Sequence, residues 1–167
     1  MTIIIYYLLF SMFAVMYYDS SRFIIPNWLV GSLLILYPAA FYISEATIDW
    51  QMDLLGMLIV FVIGFAIFAI RMMGGGDIKL IIVLALWVGW NRLAEFGFNF
   101  AVLGGLLSII LLLIRAILPK LLKNKKLPKI FRKREPVPYG LAIAGAFLLM
   151  MFAGEVAILS PNFLSLK

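Results

Sequence analysis

Apolar residues fill this chain in long unbroken runs, and the polar positions are gathered into short intervals between them. Six runs can be drawn, at roughly 3–18, 27–44, 54–70, 78–90, 96–118 and 137–159. Most approach the length needed to cross about 30 Å of hydrocarbon. Backbone groups in lipid must be satisfied within the segment, so each run is predicted to be an α-helix. The expected fold class is all-α: a polytopic membrane protein of about six transmembrane helices, in one domain over 1–167. The order of runs also suggests three helical hairpins. The first run has no Lys or Arg before it and no small-residue cleavage signal after it, so it is expected to be a retained helix.

The division between the fourth and fifth runs is weak, resting on Asn91, Arg92 and Glu95. Cytoplasmic loops collect Lys and Arg, and that bias decides the division. Six spans put Arg22, Arg71 with Lys79, and a Lys120–Arg134 cluster on one side, with Glu45, Asp49 and Asp53, and later Arg92 with Glu95, opposite. Fusing runs four and five would send the basic cluster to the wrong face. The topology that follows has both termini outside and three loops in the cytoplasm.

Composition sharpens this picture. Hydrophobic residues make up 65% of the chain and charged residues 13%, against about 45–50% and about 25% in soluble domains. The formal charge of +6 is local, because eight of the fourteen basic residues fall between Lys120 and Arg134. A membrane surface explains it and no nucleic-acid partner is expected. The hydrophilic stretch 119–136 is predicted to be a cytoplasmic loop, a topology anchor able to lie on anionic headgroups.

With no cysteine and no histidine, disulfides, thiolate zinc sites, Ser-His-Asp and Cys-His catalysis and HExxH chemistry are excluded. Two carboxylates remain conspicuous. Asp19 follows the first run in YYDSSRFIIPN, and Asp77 precedes the fourth in RMMGGGDIKL; the predicted topology sets both at the cytoplasmic boundary. Acidic groups there need pairing, neutralisation or a wet cavity. Each has a structural alternative. Asp77 is a plausible N-cap for the fourth helix, and Asp19 could be an interfacial residue paired with Arg22, although a negative charge at a helix C-terminus opposes the helix dipole.

Gly74-Gly75-Gly76 before Asp77 allows close backbone approach, as a substrate strand would need. It lacks the GxxxxGK[ST] spacing of a phosphate loop. Two neighbouring carboxyls can divide their roles, one keeping a proton while the other takes one from water. That is aspartyl-protease chemistry, and it calls for no cofactor or metal. Gly31 and Gly89 each follow an aspartate by twelve positions, a match too short to establish internal repetition.

At these residues the sequence resembles the GxGD-type membrane aspartyl peptidases, and among them the prepilin peptidases. Asp19, Arg22 and Ile25-Pro26-Asn27 resemble the first aspartate segment of that family, Gly74-Gly75-Gly76-Asp77-Ile78-Lys79-Leu80 the second, and Val137-Pro138-Tyr139-Gly140-Leu141-Ala142-Ile143 a third. Tyr18-Asp19 with the glycine run also resembles presenilin-type proteases, which lack the IPN and PYG-type segments. The short form is similar to the single-domain enzymes of Flp-type, tight-adherence pili. Methyltransferase activity is not expected, since the cysteine-bearing insertion of the bifunctional relatives is missing.

The resemblance implies Asp19 and Asp77 as the catalytic pair in a prokaryotic cytoplasmic (inner) membrane, with the active site facing the cytoplasm. The implied substrate is a prepilin or pseudopilin precursor whose short leader precedes a hydrophobic helix, with pilus assembly machinery as a further partner. Gly74, Gly75 and Gly76 would shape the active loop, Lys79 would pair with a carboxylate or headgroup, and Pro26 with Asn27 would start the second helix. Pro138, Tyr139 and Gly140 either close the site or merely restart a helix. Trp28, Trp50 and Trp90 suit interfacial anchoring. Two other functions compete: a small ion-coupled transporter, and a non-catalytic assembly subunit of a pilus or secretion machine.

Overall fold

Lipid leaves an apolar run one economical way to satisfy its backbone, and the chain takes it repeatedly. The computed structural model describes residues 1–44, 49–121, 129–132, 135–156 and 158–159. Among these, six α-helices follow in order: α1 Thr2–Arg22, α2 Asn27–Ile43, α3 Trp50–Ala69, α4 Gly75–Val88, α5 Leu93–Leu121 and α6 Tyr139–Ala153. Short 3-10 turns lie at Trp90–Arg92 and Lys129–Phe131, and no strand occurs among the described residues. Thr2–Arg22, Trp50–Ala69 and Trp90–Leu118 are long and apolar enough to cross a bilayer, and Asn27–Ile43 and Tyr139–Ala153 are shorter apolar helices. The chain is a polytopic all-α membrane protein.

Backbone chemistry sets the helix ends. Pro26, held at φ −64° and ψ 134°, is the N-cap of α2, where its missing N–H costs nothing. The weak break between the fourth and fifth runs falls at Gly89, whose φ of 83° stops α4 in a region other residues rarely adopt. Gly31 is unlike it, lying inside α2 with open space around its Cα, so the twelve-residue spacing does not mark equivalent positions. The segment expected to loop from 119 is helical to Leu121. Residues 122–128 and 133–134, with most of the basic cluster and its expected headgroup contacts, lie outside the described residues.

The core is shared by α1, α2, α4 and α6. Leu8, Met12 and Val15 of α1, Leu29 and Leu33 of α2, Leu84 and Trp87 of α4, and Ile143, Phe147 and Met150 of α6 are fully buried within it. α4 is the central element, touching all five other helices except α1 in substantial contacts. α3 and α5 present mostly exposed apolar faces, as lipid-facing helices do. Lipid tails give helices no hydrophobic reason to associate, so close packing at small residues matters. Gly64 of α3 is one such point: a Cβ there would lie 2.8 Å from Cγ2 of Ile78 on α4.

One expected loop residue belongs instead to the bundle. Asp53 lies in the first turn of α3 and is buried. Its Oδ1 accepts from the Trp90 amide at 2.9 Å and its Oδ2 from the Tyr37 hydroxyl at 3.3 Å. The Trp87 indole packs edge-on against Tyr37 and donates to the Leu33 carbonyl at 3.1 Å. This polar cluster joins α2, α3 and the α4–α5 junction at the end of the bundle away from Asp19 and Asp77.

Candidate active site

Alternating helix directions bring the C-terminal ends of α1, α3 and α5 to the same end of the bundle as the N-terminal ends of α2, α4 and α6. A cavity of about 660 Å³ opens there, and both Asp19 and Asp77 line it. The two carboxylates are close enough to feel each other's charge.

Asp19 occupies the last turn of α1 and is 4% exposed. The helix closes just beyond it through Phe23, which adopts φ 55° and donates its amide to the Asp19 carbonyl at 3.0 Å. A carboxylate at a helix C-terminus is electrostatically misplaced when α1 is considered alone. The remedy is α6, whose first-turn amides at Gly140 and Leu141 face the Asp19 side chain, so the positive end of a second helix dipole meets it. Gly140 makes the approach possible, because a Cβ there would fall 2.7 Å from Asp19 Oδ2. That oxygen is buried with no hydrogen-bond partner among the described residues. Arg22 is not its partner: the guanidinium lies over the Tyr18 ring, 5.4 Å from the centroid.

Asp77 is not an N-cap. Gly74 caps α4, and Asp77 is the third residue of the helix, half-buried. From there the side chain folds back toward the Gly74 amide, the reach that an acidic third residue makes in a capping box. Gly74 must lack a side chain for this, since its Cβ would lie 2.9 Å from Asp77 Oδ2. The other two glycines serve packing: Gly75 abuts the Phe68 ring and Gly76 abuts Ile25.

The remaining residues singled out by the sequence divide between the cavity and its supports. Tyr139 and Gly74 line the cavity. Pro138 is the buried N-cap of α6, so the PYG segment starts a helix, and Tyr139 is its one member on the cavity wall. Lys79 turns away from the carboxylates and donates to Asn27 Oδ1 at 3.3 Å, tying the first turns of α4 and α2 together. Pro26 stays outside the cavity wall.

Composition alone gave no signal for several other wall residues, including Phe23, Phe68 and Arg71. Arg71, which charge counting treats only as an inward-facing cation, ends α3 in a Schellman turn. Its amide bonds the Phe68 carbonyl at 2.9 Å, and the Met72 amide bonds the Ile67 carbonyl at 3.2 Å. Glycine usually takes that position, yet Arg71 holds it at φ 59°. Among the described residues no group of three or more Asp and Glu side chains is placed to hold a metal ion.

A family model described as the type IV leader peptidase family matches residues 6–114. The matched segment contains both aspartates and the glycine turn and stops short of α6. No curated protein and no solved structure matches the chain.

Proposed function

Because the chain belongs to the type IV leader peptidase family, it is a membrane peptidase, and we propose that Asp19 and Asp77 are its catalytic pair. The substrate in this reading is a prepilin-like precursor, cut where its leader meets the hydrophobic helix at the cytoplasmic face of the inner membrane. The observation that carries it is the single cavity lined by both side chains.

The chemistry needs one protonated and one ionised carboxyl around a water molecule, the division that neighbouring like charges favour. The ionised carboxylate takes a proton as water oxygen bonds to the scissile carbonyl carbon. The protonated carboxyl gives its proton to the carbonyl oxygen. As the tetrahedral intermediate collapses, the newly protonated carboxyl gives its proton to the amine nitrogen, the C–N bond breaks, and a hydroxyl proton of the intermediate passes to the other carboxylate, so the new C-terminal acid forms and the pair again holds one proton. The α6 first-turn amides face Asp19 and the Gly74 amide faces Asp77, so each carboxyl has backbone dipoles in place and little reorganisation is needed as charge moves.

The direct test is reconstitution of the purified chain in lipid vesicles with a prepilin-like precursor and no other protein. Cleavage at the leader boundary is expected, identified by the new N-terminus. An intact precursor, under conditions where the chain is inserted and folded, contradicts the proposal and favours a non-catalytic assembly role.

A further inference from the structure

Arg115 is a buried cation that the proposed chemistry does not use. It lies on α5, 6% exposed, and burying a guanidinium is costly unless its donors are met. Four of its five N–H donors meet main-chain carbonyls. Nε and an Nη2 proton reach the Ile130 oxygen at 3.0 and 2.8 Å, Nη1 reaches the Glu135 oxygen at 2.8 Å, and Nη2 also reaches the Pro136 oxygen at 2.9 Å. A planar fork of donors suits three carbonyls at once, and a lysine ammonium could not span them.

What it grips leads straight to the site. Residues 135–138 form a non-helical strap into α6, and Pro136 and Val137 from it line the aspartate cavity. Pro136 and Pro138 have no N–H to donate, so the strap has little backbone bonding of its own. The next residues, Tyr139 and Gly140, open α6, where the Gly140 amide faces Asp19. The 3-10 turn at Lys129–Phe131, also held through Ile130, packs on both α5 and α1.

We infer that Arg115 is a positioning residue: by clamping the main chain at Ile130, Glu135 and Pro136 it holds the strap as a cavity wall and sets the α6 N-terminus against Asp19. Only the kinetic arm of its test rests on the peptidase reading. Arg115→Met keeps bulk and removes every donor; Arg115→Lys keeps the charge and part of the donor set.

The chain has no cysteine, so Val137→Cys and, separately, the fully buried Ser11→Cys report on the strap and on the bundle through their rates of reaction with a thiol reagent. In Arg115→Met the Val137→Cys rate should rise roughly tenfold or more, the scale of losing charged hydrogen bonds from a local opening equilibrium, with the Ser11→Cys rate unchanged. Without reporters, the same variant should lose roughly tenfold or more in kcat/KM for precursor cleavage, and Arg115→Lys should recover part of both effects. An unchanged Val137→Cys rate, a parallel rise at Ser11→Cys, or full cleavage by a chain whose strap labels freely would each overturn the inference. If the unsubstituted chain cleaves no precursor, the peptidase reading fails, and the labelling rates still decide the clamp.

Discussion

Each aspartate is met by a glycine whose missing side chain leaves room for a carboxylate. A methyl group at Gly140 would stand 2.7 Å from Asp19 Oδ2, and one at Gly74 would stand 2.9 Å from Asp77 Oδ2; neither distance is tolerable without movement. Gly140→Ala and Gly74→Ala are therefore expected to lower kcat/KM, by about a hundredfold if the carboxyl moves by 1 Å. Gly31→Ala, in open space, should leave it unchanged. Steady-state kinetics on the three variants checks this, and equal activity in all three would show that the close contacts do not matter. The sequence pointed to these glycines by motif but not to their reasons. Asp19 looks misplaced at the end of α1 because its compensating dipole belongs to α6, more than a hundred residues later. Asp77 looks like a cap because Gly75 and Gly76 are poor helix formers, yet both join the first turn of α4.

At the scale of elements, the six helices were legible because lipid turns long apolar runs into helices almost without choice. Less legible were the polar residues that the bundle takes in. Asp53 reads as an outer-loop charge, and its burial depends on meeting the Trp90 amide and the Tyr37 hydroxyl from other segments. Arg115 falls inside the fifth apolar run, and its partners are carbonyls fifteen to twenty-one positions away. Such pairings leave no periodicity to find. Asp53→Ala should cost about 1–3 kcal/mol by stranding the buried donors, seen as a lower midpoint of thermal unfolding in detergent. The intact molecules should still cleave, since this cluster lies at the other end of the bundle from the cavity.

For the whole molecule, the bias of Lys and Arg predicts which way the bundle sits, with the cavity toward the cytoplasm. A chain without cysteine makes this measurable by single-cysteine labelling in membrane vesicles. Met72→Cys, exposed on the turn beside the cavity, should react with an impermeant reagent in inside-out vesicles. Glu95→Cys, exposed near the opposite end, should react in right-side-out ones. The reverse pattern would put the cavity on the outer face and sever it from a cytoplasmic leader.

Cleavage by this mechanism requires the two carboxyls to act as one unit. Asp19→Asn, Asp77→Asn and the double variant, each verified as inserted and folded, should be compared in precursor cleavage. Residues that act together are grossly non-additive, so all three are predicted to fall to the same background rate. Substantial cleavage by either single variant, or a double variant much slower than both, would contradict the shared site.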